Sequence, residues 1–590
     1  MDAAVPGWWR SAVVYQVYPR SFADADGDGI GDLRGILDRL DHIAGLGVDV
    51  LWLSPVYRSP MKDNGYDVAD YRDVDPLFGT LADLDELIAA LHARGMKLVM
   101  DVVFNHTSDQ HPWFREALTG PDSPKRDWYW FADPRPGRAA GAPGAEPTDW
   151  LSFFSVPAWT LDGASGQYHL NLFTPEQPDL NWENDAVRAE LYDTLRWWLD
   201  RGVDGFRLDV INLVSKDLPL RDGVPIPGTD RGDGAPYGDG SAQYVCGPRI
   251  HEFMAEMAAA IARPDRAVLL VGETPGVSTA HAVRFTRPEH AELSMIFQFE
   301  HMHVDHGPGG RYDPVPLELA TLKATMFRWQ REMAAGDGWD ALYWDNHDQP
   351  RVVSRFGSDA PEHRVASAKA LATVLHLLRG TPFVYQGEEL GMTNFPFAAI
   401  EQVDDVESRG AYALALASGR ASEAALRAVQ VMSRDHARTP MQWDDSAQAG
   451  FTTGTPWLAV NPNHVEINAA AQVGDEGSVY AHYRRLIALR HELAVVADGD
   501  ITPLLEEHPT IWAYRRSLGA TRLTVVANCA DEPCDLPGDE ALFAGLEGAR
   551  PVLVSGAPSS DSGAAHPARL APWEARVYLA GSALQSPSSP

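Results

Sequence analysis

Short apolar runs alternate with amphipathic stretches through most of the chain. Parallel strands that are covered by helices on both faces have this continuous apolar character. Eight such runs occur: VVYQVY at 13–18, VDVLWL at 48–53, KLVMDVVF at 97–104, GFRLDV at 205–210, AVLLVGE at 267–273, MIFQFE at 295–300, ALYW at 341–344 and TPFVYQG at 381–387. The count predicts an α/β fold, a (β/α)8 TIM barrel, whose functional residues follow the carboxyl ends of the strands.

Three segments between the apolar runs have helical periodicity and a glycine near their end, where a left-handed residue can close a helix. They are DLRGILDRLDHIAGLG, LADLDELIAALHARG and DAVRAELYDTLRWWLDRG. Two long stretches interrupt the alternation, one after the third run and one after the eighth; the second contains a single helical pattern, RGAYALALASGRASEAALRAVQVM. Loops of such length are uncommon in compact domains, so each predicts a small inserted subdomain.

The pattern divides the chain into a barrel and several additions. The predicted units are a (β/α)8 barrel at 1–104 and 176–497, a subdomain B at 105–175, an insertion at 391–455 after strand eight, a C-terminal β-sandwich at 498–580 and a disordered tail at 581–590. Short strand patterns in TIWAYRRS, RLTVVANC, RPVLVSG and EARVYLA indicate the sandwich.

Charge and targeting signals narrow the classes of partner. The formal net charge is −33, from 82 Asp and Glu against 49 Lys and Arg, and this field repels phosphate backbones and anionic lipid headgroups. The N-terminus has no basic and apolar signal-peptide pattern, and no run of about 18 apolar residues occurs. We therefore expect a cytoplasmic protein that binds neither nucleic acid nor membranes.

Four polar clusters follow predicted strands three, four, five and seven. They are DVVFNH at 101–106, GFRLDV at 205–210, GE at 272–273 and DNHDQPR at 345–351. A single acid after a strand is often only a helix N-cap. Four such clusters at the same end of one barrel indicate an active site.

These clusters resemble the short motifs of the α-amylase family of retaining glycosidases, glycoside hydrolase family 13, over roughly residues 8–580. Within the family the sequence is most similar to the oligo-1,6-glucosidases. The motifs that carry this resemblance are SFADADGDGIGDLRG, DNGYDVADY, QPDLNW, DVINLVSKD, FQFEHM, YQGEELGMTN and ARTPMQWD. The resemblance implies an α-glucosidase on a barrel of the predicted kind.

Retaining glycosidases need one ionised carboxylate that attacks the anomeric carbon and one protonated carboxyl group that releases the leaving oxygen, about 5 Å apart. Asp209 fits the nucleophile and Glu273 the general acid/base. Arg207 lies two residues before Asp209 and points to the same face of its strand, where a cation keeps a carboxylate ionised. Proximity to Asp209 and Asp348 is expected to keep Glu273 protonated.

The resemblance also assigns substrate-binding roles. It implies that Asp348 binds sugar hydroxyls in the transition state, with His106 and His347 as hydrogen-bonding neighbours. Further residues resemble those that close one end of the site and make it an exo-acting pocket: Tyr66, which stacks on the terminal glucose, Asp67 with Arg438 as its partner, and Phe173 and Gln177 in the pocket wall. Glucose is then expected to leave from the non-reducing end of a small oligosaccharide.

The loop DADGDGIGD spaces Asp24, Asp26, Asp28 and Asp32 like the start of an EF-hand and adds the carbonyl group of Ile30. It departs from an EF-hand at position 12, which is Gly35 and not Glu. Related glucosidases are similar in binding calcium here, so we expect a structural Ca²⁺ away from the active site. Catalysis itself needs no cofactor.

Two residues bear on which type of glycosidic linkage the enzyme prefers. Val210, after the nucleophile, resembles the residue of α-1,6-acting members, whereas threonine or alanine at this position resembles members that act on α-1,4 linkages. Thr274 departs from the methionine common in bacterial oligo-1,6-glucosidases. The sequence therefore predicts α-1,6 preference and leaves an α-1,4-glucosidase open as the alternative.

Three further readings follow from relatives. Sucrose isomerases share the architecture, but the segment HVDHGPGGRYD lacks their charged RLDRD-type motif; transfer to a sugar in place of water stays open for any glycosyl-enzyme. Non-catalytic ancillary subunits of amino-acid transporters have lost catalytic residues and gained a membrane span, and neither change is seen here.

For the oligomeric state, we expect a monomer or a weak homo-oligomer.

Overall fold

The structure, a computed structural model, describes residues 7–290, 292–544, 546, 548–556 and 569–581. Its centre is an eight-stranded parallel sheet, with one strand at each of the eight predicted apolar runs. The strands are β1 Val14–Val17, β2 Val50–Leu53, β3 Lys97–Val103, β4 Gly205–Asp209, β5 Leu269–Glu273, β6 Met295–Phe297, β7 Ala341–Leu342 and β8 Thr381–Tyr385.

The strands pair in the order β6, β5, β4, β3, β2, β1, β8, β7. A parallel bridge between Ile296 and Asp340 joins the two ends of this sheet. All residues of β1, β2, β4 and β5 are buried, as parallel strands covered on both faces should be. The predicted (β/α)8 barrel is confirmed.

Helices surround the barrel, and their ends follow the predicted signals. Those of eight or more residues are Leu81–Ala93, Asp185–Arg201, Ile250–Ile261, Thr279–Thr286, Leu319–Ala335, Arg364–His376, Val406–Ala417, Ser422–Met432 and Val479–Glu492. Thr80 and Asp83 form a capping box at the start of the first, and Gly202, at φ 116°, ends the second. The first predicted helix divides into Leu33–Asp38 and Leu40–Leu46.

The two insertions contain secondary structure of their own. Between β3 and β4 lie the helix Pro112–Ala117 and a three-stranded antiparallel sheet of Phe131–Ala132, Tyr168–Leu170 and Trp159–Leu161. After β8 the sequence pattern indicated one long helix, and this was wrong. The segment forms two helices, Val406–Ala417 and Ser422–Met432, because Gly419 adopts a left-handed φ of 86° between them.

The C-terminal part forms a five-stranded antiparallel sheet and a two-stranded ribbon. The sheet strands are β9 Asp500–Leu504, β10 Ile511–Leu518, β11 Thr521–Asn528, β12 Arg550–Val554 and β13 Ala575–Ala580, paired in the order β9, β10, β11, β13, β12. The ribbon pairs Cys534–Asp535 with Arg569–Leu570. Sequence reasoning did not identify β9, and the predicted disordered tail lies, apart from residue 581, outside the described residues.

In the described part of the chain, no helix has both the length and the apolar composition needed to cross a bilayer.

Candidate active site

The carboxyl ends of neighbouring barrel strands bring the predicted acids together. Asp209 ends β4 and Glu273 ends β5, and the register pairs Leu208 with Gly272 immediately before them. On the other side of β4, Val103 of β3 is opposite Asp209, and Asp101 is opposite Arg207. The acids are far apart in sequence but adjacent at one rim of the barrel.

Arg207 lies at the centre of this acidic group, fully buried. Its Nη1 donates to Oδ1 of Asp101 at 2.8 Å and to Oδ1 of Asp209 at 2.7 Å. Its Nη2 lies 2.7 Å from Oε2 of Glu273. The expected contact with Asp209 is present, but the same cation also serves Glu273, so Arg207 does not by itself distinguish the two acids.

The group contains three carboxyl groups and one guanidinium. Burial raises the pKa of Asp101 to about 6, against the opposing effect of Arg207. Burial also raises the pKa of Asp209 well above its ordinary range; Arg207 opposes this shift, and the neighbouring carboxyl of Glu273 adds to it. Because one cation faces three buried carboxyl groups, the ionisation of each depends on whether its neighbours are ionised.

Val210 follows Asp209 in a strained conformation, with φ 36° and ψ 38°. A β-branched residue in the left-handed region is a genuine outlier. The turn directs the N–H of Val210 to Oε2 of Glu273, at 3.0 Å. Arg207 and Val210 therefore both donate to the same oxygen of Glu273.

Asp348 is held by cations. Its Oδ1 accepts from Nη2 of Arg438 at 2.7 Å and from Nη1 of Arg434 at 3.3 Å, and its side chain is 26% exposed. Burial alone would raise the pKa of Asp348, but His347, Arg434 and Arg438 together hold it well below the usual range. Asp348 is therefore ionised under ordinary conditions.

The two predicted histidines are buried and neutral. Burial lowers the pKa of His106 to about 4 and that of His347 to about 3. The His347 ring is stacked between Tyr66 and Tyr18, at ring-centre distances of 5.1 and 6.1 Å. His106 lies 3.0 Å from the amide nitrogen of Gln177. His106 lines the cavity and can form a hydrogen bond with a neutral ligand without changing its charge, whereas the His347 ring packs against the tyrosines.

The predicted pairing of Asp67 with Arg438 was wrong. The buried Asp67 carboxylate accepts from Oγ of Ser59 and from the backbone N–H groups of Lys62 and Asp63, at 2.9 to 3.1 Å. These donors belong to its own turn, so Asp67 stabilises the loop, while Arg438 pairs with Asp348.

Asp63 and Arg434 form the acid–arginine pair beside the cavity that the sequence had assigned to Asp67 and Arg438. Oδ1 of Asp63 lies 3.4 Å from Nη2 of Arg434, and both residues line the cavity beside Asp348. Burial raises the pKa of Asp63 to about 7, against the effect of Arg434. The motif DNGYD contains both acids; only the local turn shows which of them faces the cavity.

The acids open into a cavity of about 460 Å³, a size that suits a small ligand. Seven predicted site residues line it: Tyr66, His106, Phe173, Asp209, Val210, Glu273 and Asp348. The predicted residues Asp67, Gln177, Arg207, His347 and Arg438 lie behind this wall, and each of them contacts a residue that lines it. Sequence reasoning missed the wall residues Asp63, Phe153, Phe299, Arg311, Glu407 and Arg434, of which Phe153, Glu407 and Arg434 come from the inserted segments.

A larger cavity, of about 800 Å³, lies near the amino ends of β5 and β7, beside Val268 and Trp339. None of the predicted site residues lines it. In barrel enzymes the amino-terminal face serves stability, and the chemistry lies at the opposite face. The smaller cavity is therefore the candidate active site.

The loop predicted to bind a metal lies away from this cavity. Asp24, Asp26 and Asp28 each offer a carboxylate oxygen within 4.8 Å of the others. Asp32 is not part of this group: its Oδ1 caps the helix Leu33–Asp38 at Gly35, and its Oδ2 accepts from the N–H of Ala25. The N–H of Ile30 donates to Asp28. Of the five predicted ligands, Asp24, Asp26 and Asp28 thus have carboxylate oxygens close enough together to bind one metal ion.

Comparisons with known proteins agree with this geometry. A family model described as the catalytic domain of alpha amylase matches residues 16–499. The chain is 49% identical to an oligo-1,6-glucosidase of Parageobacillus thermoglucosidasius, over 97% of this chain and 98% of that protein.

Two solved structures have the same fold. Trehalose-6-phosphate hydrolase of Bacillus licheniformis has a TM-score of 0.87 and 41% identity, over 97% of this chain and 99% of that one. Trehalulose synthase of Pseudomonas mesoacidophila gives the same values for score, identity and coverage.

Proposed function

The chain belongs to the α-amylase family of glycoside hydrolases, and from this premise we propose that it is an exo-acting, retaining α-glucosidase that prefers α-1,6 linkages. The observation that carries the proposal is the pair Asp209 and Glu273 at adjacent strand ends, facing a cavity that Asp63 and Arg434 line beside Asp348. Its substrates are short oligosaccharides with a glucose unit at the non-reducing end.

The hydrogen bonds leave one carboxyl oxygen of each acid free for its proposed role. In Glu273 both donors, from Arg207 and Val210, reach Oε2, so Oε1 is the oxygen that can hold a proton. In Asp209 the Arg207 guanidinium reaches Oδ1, which leaves Oδ2 for attack. The proposed roles are thus supported by which oxygens remain available.

The proposed reaction has two steps. In the first, Oδ2 of Asp209 forms a bond to the anomeric carbon while the glycosidic bond breaks, and the Glu273 proton passes to the leaving oxygen. In the second, Glu273 takes a proton from water, whose oxygen replaces Asp209 at the anomeric carbon. Two inversions retain the α configuration.

Asp348 and the Asp63–Arg434 pair are the proposed binding groups for glucose. Arg434 and Arg438 hold Oδ1 of Asp348, which leaves Oδ2 for sugar hydroxyls. Such a bond strengthens as the ring flattens toward the oxocarbenium-like transition state. Asp63 and Arg434 would bind the outer hydroxyls of the terminal glucose and give the enzyme its exo action.

The local geometry favours the α-1,6 alternative over the α-1,4 one. Val210 lines the cavity. Thr274 is buried, and its hydroxyl donates to the backbone carbonyl of Phe297 at 2.8 Å. Since Thr274 does not face the ligand space, its departure from the related enzymes carries less weight than the identity of Val210.

We also propose a structural Ca²⁺ at the loop of Asp24, Asp26 and Asp28, which supply hard carboxylate oxygens. The ion would order the loop next to Thr452, whose hydroxyl donates to Asp24 at 2.5 Å. The cytoplasmic location and the monomeric or weakly associated state stay predictions from the sequence.

The test is glucose release from isomaltose, maltose, sucrose and trehalose 6-phosphate at matched concentrations, with Asp209→Asn as the catalytic control. Faster cleavage of isomaltose, abolished in the variant, is the expected result. Preferred cleavage of maltose or trehalose 6-phosphate would refute the linkage assignment, and full activity of Asp209→Asn would refute the nucleophile.

A further inference from the structure

Two buried carboxyl groups that the proposed reaction does not use lie behind the loop that carries Asp348. Asp345 begins this loop after β7, and Glu388 lies in the turn after β8. Their exposed fractions are 2% and 3%. The two side chains are within hydrogen-bonding contact of each other.

The other partners of Asp345 leave one of its oxygens for Glu388. Oδ2 of Asp345 accepts from the N–H of Val352 at 3.0 Å and so caps the short helix Val352–Arg355. Oδ1 is buried and has no N–H or hydroxyl donor among the described residues. A proton on the Glu388 carboxyl group is the donor that fits this oxygen.

Among the described residues, few N–H or O–H groups donate hydrogen bonds to Glu388. Its Oε1 accepts from the hydroxyl group of Tyr483 at 2.6 Å, and its Oε2 receives only a distant N–H, from Tyr385 at 3.4 Å. Burial, and then the neighbouring Asp345, hold the pKa of Glu388 well above its ordinary range. Two buried carboxyl groups in contact cannot both be ionised without a cation between them.

Among the described residues, the guanidinium of Arg351 acts on the charge of Asp345 but forms no hydrogen bond with either acid of the pair. Arg351 donates to the backbone carbonyls of Gln386, Ala437 and His436, at 2.6, 3.1 and 3.3 Å. Burial raises the pKa of Asp345, Arg351 opposes this shift, and the further carboxyl group of Glu389, the next acid in the turn, adds to it. One proton held between Asp345 and Glu388 therefore supplies the missing donor to Asp345 and removes one of the two buried negative charges.

We propose that Asp345 and Glu388 share one proton, carried by Glu388, and that they act as positioning residues for the loop 345–351. Asp345 fixes the start of this loop and Arg351 its end, and His347 and Asp348 lie between them. The positioning role rests on the proposed function of Asp348, whereas the shared proton does not. Displacement of the loop would move Asp348 relative to the ligand without altering the groups that touch the ligand.

The test compares amide replacements, which mimic a protonated carboxyl group. Glu388→Gln keeps a donor to Asp345 and an acceptor for Tyr483, so kcat should stay within about twofold of the parent and the melting temperature should be similar. Asp345→Asn leaves one acceptor oxygen for two donors, the Val352 N–H and the Glu388 proton. It should lower kcat by about tenfold or more, with a smaller change in KM.

Glu389→Gln is the matched control. The Glu389 carboxylate accepts from the Tyr15 hydroxyl, the Gly387 N–H and His42, all at 2.8 Å. An amide N–H there would meet donors, so this variant should be clearly less stable than Glu388→Gln. Equal damage in the two Gln variants would overturn the assignment of the proton to Glu388.

Infrared spectroscopy measures the shared proton independently of activity. The difference spectrum between the parent and Glu388→Gln at neutral pH should contain the C=O stretch of one buried protonated carboxyl; its absence from this difference spectrum would refute the shared proton. A folded Asp345→Asn variant with parental kcat would refute the positioning role, even where Asp209→Asn confirms the proposed reaction. If Asp345→Asn does not fold, the infrared band and the comparison of the two Gln variants still decide whether Glu388 carries the proton.

Discussion

Asp63 occupies the cavity position that was predicted for Asp67, and variants of these two acids give the sharpest test of the active-site geometry. Both acids belong to the motif DNGYD and both are buried, at 4% and 0% exposure. Asp63 faces Arg434 and the cavity, whereas Asp67 accepts three hydrogen bonds from its own turn. Asp63→Asn should therefore damage activity, and Asp67→Asn should damage stability.

The magnitudes follow from the bonds that each variant loses. A hydrogen bond to a charged group contributes about 1.5–3 kcal/mol. If Asp63 binds two hydroxyls of the terminal glucose, Asp63→Asn should lower kcat/KM by about 10²–10⁴-fold, since about 1.4 kcal/mol corresponds to a factor of ten. Asp67→Asn loses at least one acceptor for the N–H donors of its turn, which should cost about 1.5–3 kcal/mol of folding stability.

The assay combines hydrolysis of isomaltose with urea unfolding of both variants. The expected result is low kcat/KM with near-parental stability for Asp63→Asn, and the reverse for Asp67→Asn when activity is measured well below its unfolding midpoint. A folded Asp67→Asn variant as inactive as Asp63→Asn would show that Asp67 binds the ligand after all. A fully active Asp63→Asn variant would refute the proposal that Asp63 binds the terminal glucose at the closed end of the pocket.

Three further predictions concern the acid, a buried histidine and the metal loop. Glu273→Gln should slow isomaltose cleavage by about 10²–10⁴-fold but slow 4-nitrophenyl α-glucoside much less, because a good leaving group needs no proton; equal losses on both substrates would contradict the acid role. The pKa of His106 is lowered to about 4, so the unfolded chain gains the proton first and stability should fall as pH drops from about 6.5 to 4, by up to about 3 kcal/mol; this slope should be shallower for His106→Asn in urea titrations. Ca²⁺ at 100 times its Kd should stabilise the fold by about 2.7 kcal/mol, which calorimetry with and without EDTA measures, and Asp26→Asn should reduce this gain.

Much of the fold could be predicted because its signals are local. All eight barrel strands appear as apolar runs, since strands buried on both faces need no polar residues. The helix ends at Gly47 and Gly202 have the left-handed φ that a glycine supplies. By contrast β9, with the sequence DITPL, alternates in burial and contains a proline, and the pattern was too weak to identify it.

The acids that follow barrel strands were predictable, whereas several wall residues from the loops and insertions between the strands were not. Asp209 and Glu273 end β4 and β5, so the barrel itself predicts that they meet. Arg434 reaches the cavity from the insertion after β8, about 370 residues along the chain from Asp63, which it contacts. No local pattern encodes that approach, and Asp67 and Arg438 were equally plausible partners in sequence.

Val210 joins backbone strain to substrate choice, and substitutions can separate the two. A left-handed conformation costs a β-branched residue about 1–3 kcal/mol, and Val210 keeps it while it donates to Glu273 and lines the cavity. Val210→Gly should relieve the strain without changing the hydrogen bond, so stability in urea should rise by up to about 1 kcal/mol, although loss of the buried side chain offsets part of that gain. Val210→Thr keeps the branch and the strain but presents a hydroxyl to the ligand, and should shift the ratio of isomaltose to maltose hydrolysis toward maltose at nearly parental stability. An unchanged ratio in both variants would show that the Val210 side chain does not select the linkage, and would direct the search to the wall residues of the inserted segments.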